Sequence, residues 1–293
     1  MNTLSKTDPF SDNKTGWQAK VDLEFKNRFG KSVLGECSRK GPLTFQRPFY
    51  PEDNVCHLYL LHPPGGIVGG DTIDLNIEVQ ADAHALITTP GAAKFYRSQG
   101  LTAYQQQYFH VQPTSVLEWF PQETILFPGA KADICTKVDL SDDAVFMGWE
   151  ILCLGRPASR MSFDTGALKS KLSVYKNGTP LYIDQLCVDN DMDSIILRHC
   201  KPGLQDFPVS AVFVVAGIAP DIIFDMGNPP FCDPDQANTD SGLKGVTRIN
   251  ELMIARYLGH DPEAAKAYFI SLWKTIRPVM LNRPACIPRI WAT

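Results

Sequence analysis

Apolar and polar residues alternate with a period of two through much of the first two-thirds of the chain. Val21, Leu23 and Phe25 alternate with Asp22, Glu24 and Lys26, and Ile73, Leu75, Ile77 and Val79 alternate with Asp74, Asn76 and Glu78. Successive side chains of a strand point to opposite faces, so each pattern predicts a strand with one buried face. Cys56 to Leu61, Ala85 to Thr88, Val116 to Phe120 and Val145 to Leu154 are short runs of β-branched, aromatic and aliphatic residues and predict further strands. Asn177-Gly178 sits between two such runs and predicts a hairpin turn. Val209 to Ile218 is apolar nearly throughout, as in a strand covered on both faces.

The C-terminal part reads differently. Asn228 to Gly245 is rich in Pro, Asp, Asn, Ser and Gly and predicts a long irregular loop. Ile249, Leu252, Met253 and Tyr257 have helical spacing, with Gly259 placed as a C-cap. Asp261-Pro262-Glu263 then reads as a second helix start, followed by an apolar stripe of Ala265, Tyr268, Phe269, Leu272, Trp273 and Ile276. There is no internal repeat. The expected organisation is a disordered tail over 1–16 and a single mainly-β domain over 17–293. That domain divides into a β body over about 17–227, the loop over 228–245, and a two-helix hairpin with a C-terminal tail over 246–293.

Bulk properties narrow the functional classes. At 293 residues and 44% hydrophobic, the chain can bury a substantial core. A net charge of −4 gives no general attraction to nucleic acid or anionic membrane. Met1 to Gly16 is polar, with no apolar signal-peptide region, and nothing approaches the ~18 apolar residues of a membrane span. The expectation is a soluble, cytoplasmic protein. None of the eight cysteines forms a CxxC pair, so neither a disulfide framework nor a structural zinc site is predicted, and most should be small buried apolar groups.

The most unusual segment is His62-Pro63-Pro64-Gly65-Gly66-Ile67-Val68-Gly69-Gly70-Asp71. Its glycines and prolines force a sharply folded loop between two strands. Gly65 and Gly70 have P-loop spacing, but Asp71-Thr72 stands where Lys-Ser/Thr is required, and a carboxylate there repels phosphate. Taken alone, the segment reads as a tight turn without a ligand. Glu118 and Glu123 bracket Trp119-Phe120-Pro121 and face opposite ways on an extended chain, so they make a poor acid–base pair. Glu150 lies in the apolar run Phe146–Leu152, which makes it either an outward-facing strand residue or a hydrated internal one. Asp189 to Asp193 lacks the Gly and Glu of an EF-hand and reads as a solvated turn. His84 and His110 read as structural histidines. GxSxG and HExxH are both missing, and nothing points positively to catalysis.

The motif loop and three further segments, taken in order, carry a family resemblance. The others are Thr88 to Ser98 (TTPGAAKFYRS), Leu117 to Phe127 (LEWFPQETILF) and Pro284 to Trp291 (PACIPRIW). Together they resemble the urease accessory protein UreD (UreH) family over nearly the whole chain. The stretch from Ala158 to Asp206 and the first 16 residues match least, and nothing is carried over there.

The resemblance implies elongated stacked β-sheets with two helices. It implies a non-catalytic scaffold in urease maturation that binds apo-urease and UreF, with UreF recruiting the GTPase UreG. It also implies transient Ni²⁺ passing through an internal hydrated tunnel, with no permanently bound cofactor. Cys and His cages would trap Ni²⁺, so a conduit should rely on scattered carboxylates and other oxygen donors. Within the matched motifs these are Asp71, Glu118 and Glu150, with His62 as a transient ligand. Pro63, Pro64, Gly65, Gly66, Gly69 and Gly70 shape the loop. Arg289 and Trp291 are candidate partner-interface anchors, although Trp291 can equally cap the protein's own core. Two alternatives remain open: a β-rich carbohydrate hydrolase using Asp71 with Glu150, and a structural adaptor with no metal path.

Overall fold

The period-two segments become strands that pass back and forth between two facing sheets. The computed structural model describes residues 16–189, 191–219 and 242–292. Gln18–Arg28, Thr72–Val79, Ala103–Val111, Lys131–Leu140 and Ala167–Lys176 lie side by side in parallel. Antiparallel Lys31–Lys40 and Thr179–Val188 complete this seven-stranded sheet at its edges. The strands between them in sequence, Cys56–Leu61, His84–Thr88, Val116–Phe120 and Val145–Arg156, form the parallel centre of an eleven-stranded sheet. Its far side continues antiparallel through Val209–Ala216, Leu252–Gly259 and Leu243–Ile249. Parallel neighbours are therefore joined through the opposite sheet rather than by helices, as in a solenoid of stacked coils.

The two sheets differ in how they are covered. Lys131–Leu140 alternates half-buried and buried at every position, because only one face of its sheet meets a core. The eleven-stranded sheet is covered on its second face by the helix Pro262–Leu281, so Val145–Arg156 and Val209–Ala216 are buried almost throughout. Phe146, Leu152 and Leu154 pack between the sheets, and Met147, Trp149, Ile151 and Cys153 pack beneath the helix. That is the doubly covered strand predicted for Val209 to Ile218. The helix begins as its sequence predicts, with Pro262 in its first turn and the Asp261 side chain accepting from the Glu263 amide at 3.0 Å. The predicted apolar stripe is its buried face. The Asn177-Gly178 turn has φ of 49° and 78°, matching the left-handed pair that the tightest hairpins need.

Three expectations are corrected. Ile249 to Tyr257 is not a helix; it runs through the hairpin of Leu243–Ile249 and Leu252–Gly259, turning at Asn250 with φ of 52°. Leu252, Met253, Ile254 and Ala255 are all buried. A strand covered on both faces buries consecutive residues and so also fills helical spacings, and Gly259 ends a strand rather than capping a helix. The C-terminal element is accordingly a β-hairpin followed by one helix, and the predicted two-helix hairpin does not form. The second helix is Met192–His199, opened by Asp191 accepting from the Ser194 amide at 2.7 Å, where a solvated turn was expected. Of the cysteines, Cys56 and Cys153 are buried as expected, while Cys37 and Cys187 are exposed. The predicted tail lies outside the described residues except for Gly16. Positions 228–241 of the predicted loop lie outside them as well, and Leu243 onward is strand. Among the described residues no helix is long and apolar enough to cross a membrane.

Candidate functional site

The loop His62 to Asp71 joins the strand Cys56–Leu61 of one sheet to Thr72–Val79 of the other. Its shape is fixed from within and from the neighbouring segment around Tyr96. The two Asp71 oxygens accept the backbone N–H groups of Trp17 at 2.8 Å and Val68 at 2.9 Å. The Tyr96 hydroxyl donates to the Gly65 carbonyl at 2.9 Å. A Cβ at Gly66 would lie 2.3 Å from the Tyr96 ring and 2.7 Å from the Lys94 carbonyl oxygen, so only glycine permits this contact. Gly70 takes φ of 95°. Asp71 is thus a clamp on the loop. With both oxygens held by amides, it is poorly placed as half of a hydrolytic acid–base pair.

Behind the loop, between the two sheets, lies a cavity of about 350 Å³. His62, Pro63, Pro64, Gly65 and Gly66 line one part of it. Its polar lining comprises Thr89, Lys94, Gln105, Gln107, Gln122, Thr124 and Glu150 besides His62, with no cysteine among the lining residues. Burial lowers the pKa of His62, with the Asp71 charge opposing, which favours the neutral imidazole that can ligate a metal.

Glu150 stands at even parity with Phe146, Leu152 and Leu154 and therefore faces the inter-sheet core. This is the internal alternative of the two open from sequence. One of its oxygens is 2.5 Å from Thr136 Oγ1, which is 2.9 Å from Gln107 Oε1. Burial pushes the Glu150 carboxyl up to about 7; the Thr136 hydroxyl opposes the rise and the Asp184 charge adds to it. When protonated, Glu150 can donate to Thr136, which then donates to Gln107, so the single threonine proton is used once. Beyond Glu150 a small void of about 30 Å³, also lined by Asp184, Ser170, Ser210 and Arg256, has room for about one water. Glu150 borders both cavities.

Glu118 lies on the other face of the same sheet. It is fully buried against the helix, and its oxygens accept from His84 Nε2 at 2.6 Å, Trp273 Nε1 at 2.6 Å, and Arg277 Nε and Nη2 at 3.0 and 2.9 Å. Burial alone would raise its pKa. The His84 hydrogen bond and charge, with the Arg277 charge, outweigh that and hold it below the ordinary range. Arg277 also binds the Glu52 carboxylate at 2.6 and 2.9 Å, and Glu52 accepts from His57 at 2.7 Å. The expectation that Glu118 shares a path with Glu150 is therefore corrected: the sheet separates them. His84 is structural, as expected. Sequence reasoning missed Glu52, His57 and Arg277. Arg277 did leave a signal, standing four residues after Trp273 at the end of the apolar stripe.

At the C-terminus, Trp291 donates from Nε1 to Thr88 Oγ1 at 2.9 Å and packs against the rings of Phe120, Trp149 and Trp273. It closes the protein's own core. Arg289 is exposed.

Comparison with known proteins bears out the family resemblance. Residues 18–292 match a family model described as UreD urease accessory protein. A protein of Alcanivorax borkumensis named urease accessory protein UreD is 43% identical over 282 residues, covering 95% of this chain and 93% of its own length. Relatives of the same name from Citrobacter koseri and Methylobacillus flagellatus are 42% and 40% identical, covering 95% and 99% of this chain and 92% and 98% of their own.

Proposed function

The chain belongs to the UreD family of urease accessory proteins, and from that premise we propose that it is a non-catalytic scaffold of urease maturation which conducts Ni²⁺ through its interior. In this reading it holds apo-urease and UreF, UreF engages the GTPase UreG, and the ion travels as transient cargo. The observation that carries the reading is the inter-sheet cavity, lined at one part by the glycine-rich loop and bordered deeper in by Glu150, with a second void on the far side of that carboxylate.

The donor chemistry supports passage over storage. Carboxamides, hydroxyls, backbone carbonyls and one carboxylate can replace part of a hydration shell without holding the ion as thiolates would. His62 at the loop is the one imidazole on the lining and can exchange the ion there. Asp71 acts indirectly, by fixing the loop. Glu118 contributes through the fold. Arg289, exposed beside the anchored Trp291, is the residue of the C-terminal motif best placed to meet a partner.

Tagged protein purified from cells containing the urease system should bring down a UreF-like protein and urease together. Recovery of the chain alone, as a stable monomer indifferent to UreF, would overturn the scaffold reading.

A further inference from the structure

The space behind Glu150 is shut by a contact between the two sheets. Arg256 shares strand parity with Leu252 and Ile254 and so faces the inter-sheet core from Leu252–Gly259. Tyr182 and Asp184 share parity with Leu186 and face the same core from Thr179–Val188. The Arg256 guanidinium donates to Asp184 Oδ2 at 3.1 Å and to the Tyr182 hydroxyl at 2.8 Å. This bridge stands at the solvent rim, with the Arg256 side chain 54% exposed and that of Asp184 30%. Asp184 and Arg256 are also walls of the small void that Glu150 borders from within. Glu150, void, bridge and solvent thus follow one another in order.

Size decides what can pass. The inner cavity of about 350 Å³ has room for an ion with its waters. The void of about 30 Å³ has room for about one water, too little for an ion that keeps several. Its walls differ in how readily they give way. Leu152, Leu172 and Val212 are held in the core by packing. The bridge is a half-exposed ion pair that competes with water and is screened by salt, and such pairs are held weakly. Its acceptors lie on Thr179–Val188, an edge strand bonded to its sheet on one side only. A dication reaching the void would also compete with Arg256 for the Asp184 carboxylate, so the cargo itself favours an open bridge.

We propose that the bridge from Arg256 to Asp184 and Tyr182 is a latch between the two sheets. Closed, it ends the path behind Glu150. Open, it gives that path an outer mouth at the rim between Thr179–Val188 and Leu252–Gly259. The purpose of the latch rests on the conduit reading, but its opening can be measured without nickel. A second ion pair supplies the control. Lys176 meets Glu251 at 2.5 Å and ties the same two sheets, yet neither residue lines the void.

The test reads access to the void in the purified full chain. Ser170 lines the void and is 4% exposed, so Ser170→Cys places a thiol there. The protein is pulsed with iodoacetamide, and each cysteine peptide is followed by mass spectrometry. Exposed Cys37 and Cys187 give the rate of a free thiol, and Cys153, buried beneath the helix, reports the global fold. Arg256→Met keeps the bulk of the side chain and removes the bridge, and Asp184→Asn breaks it from the other side. Each should speed alkylation at position 170 by about fivefold, the scale set by losing one half-exposed ion pair, with Cys153 still protected. The two together should be no faster than the faster single variant, because they break one contact. Lys176→Gln should leave position 170 unchanged. Unaltered alkylation in both bridge variants, equal acceleration by Lys176→Gln, or acceleration only where Cys153 also reacts would each overturn the latch. Nickel transfer past Glu150 is read separately, by urease activation, so latch and conduit can fail independently.

Discussion

Glu118 and Glu150 project from opposite faces of one sheet. Glu118 is locked against Arg277 beneath the helix, and Glu150 borders the cavity between the sheets. The two carboxylates consequently differ in every respect that matters to function. One is charged, saturated with donors and structural. The other is poorly solvated and has its proton affinity raised to about 7, with space on both sides.

The first consequence is a difference in stability. Glu118→Gln removes the charge facing a fully buried guanidinium and should cost about 3–5 kcal/mol, as breaking a buried pair does. Arg277→Met strips the partner from both Glu118 and Glu52 and should cost at least as much as Glu118→Gln. Glu150→Gln removes no partner charge and should be neutral or mildly stabilising above pH 7. Urea denaturation of the four proteins checks this. Equal midpoints for Glu118→Gln and wild type would remove the ion cluster from the account of the fold.

The pH dependence of stability follows from Glu150. Its folded pKa is raised above the ordinary value, so between about pH 4.5 and 7 the folded state holds a proton that the unfolded chain has released. Stability from this group is fully present at the low end of that window and lost as pH rises through 7. The loss is at most about 3 kcal/mol, and cavity water should reduce it. Unfolding free energies of wild type and Glu150→Gln, measured across this range, should converge at low pH and diverge above neutrality. Parallel curves would place Glu150 in a solvated setting instead.

Much of this was legible in the sequence, and the failures have physical causes. Alternation in Gln18–Arg28 and Thr72–Val79 reports one covered face directly, and Asp261-Pro262 reports a helix start. Parity along a strand does not say which face a helix will cover, so Glu118 and Glu150 looked alike as carboxylates in apolar runs. Where both faces are covered, as at Leu252 to Ala255, alternation disappears and helical spacing is satisfied by accident. Glu52, His57 and Arg277 meet only because the helix returns over the far face of the sheet. No local pattern encodes that meeting.

The two motif residues at the C-terminus should separate by readout. Trp291→Ala removes a ring packed on three aromatics and a hydrogen bond to Thr88. It should destabilise the protein by about 2–3 kcal/mol, below the range of about 3–5 kcal/mol for a fully buried aromatic because Trp291 is only half-buried. Arg289→Ala should leave thermal unfolding unchanged and weaken capture of UreF or urease. If Trp291→Ala unfolds like wild type, or Arg289→Ala loses stability instead of binding, the division of labour is reversed.

The conduit itself is tested at Glu150 under limiting nickel. At an effective dielectric of about 20, one carboxylate charge ~5 Å from a dication contributes on the order of 6 kcal/mol before the cost of stripping water is subtracted. Hydration offsets most of that, leaving about 1 kcal/mol, or roughly a fivefold change in transfer. Glu150→Gln should therefore assemble normally with its partners yet activate urease about fivefold more slowly, with the deficit relieved by excess Ni²⁺. In the wild type, activation should rise as pH passes through about 7, where Glu150 becomes the anion that favours the ion, and Glu150→Gln should flatten that rise. Glu118→Gln, even where enough folded protein survives to assemble, should show no such nickel rescue, because its carboxylate faces the helix. Wild-type activation by Glu150→Gln in scarce nickel, with an unaltered pH profile, would leave the cavity without a role in carrying the ion.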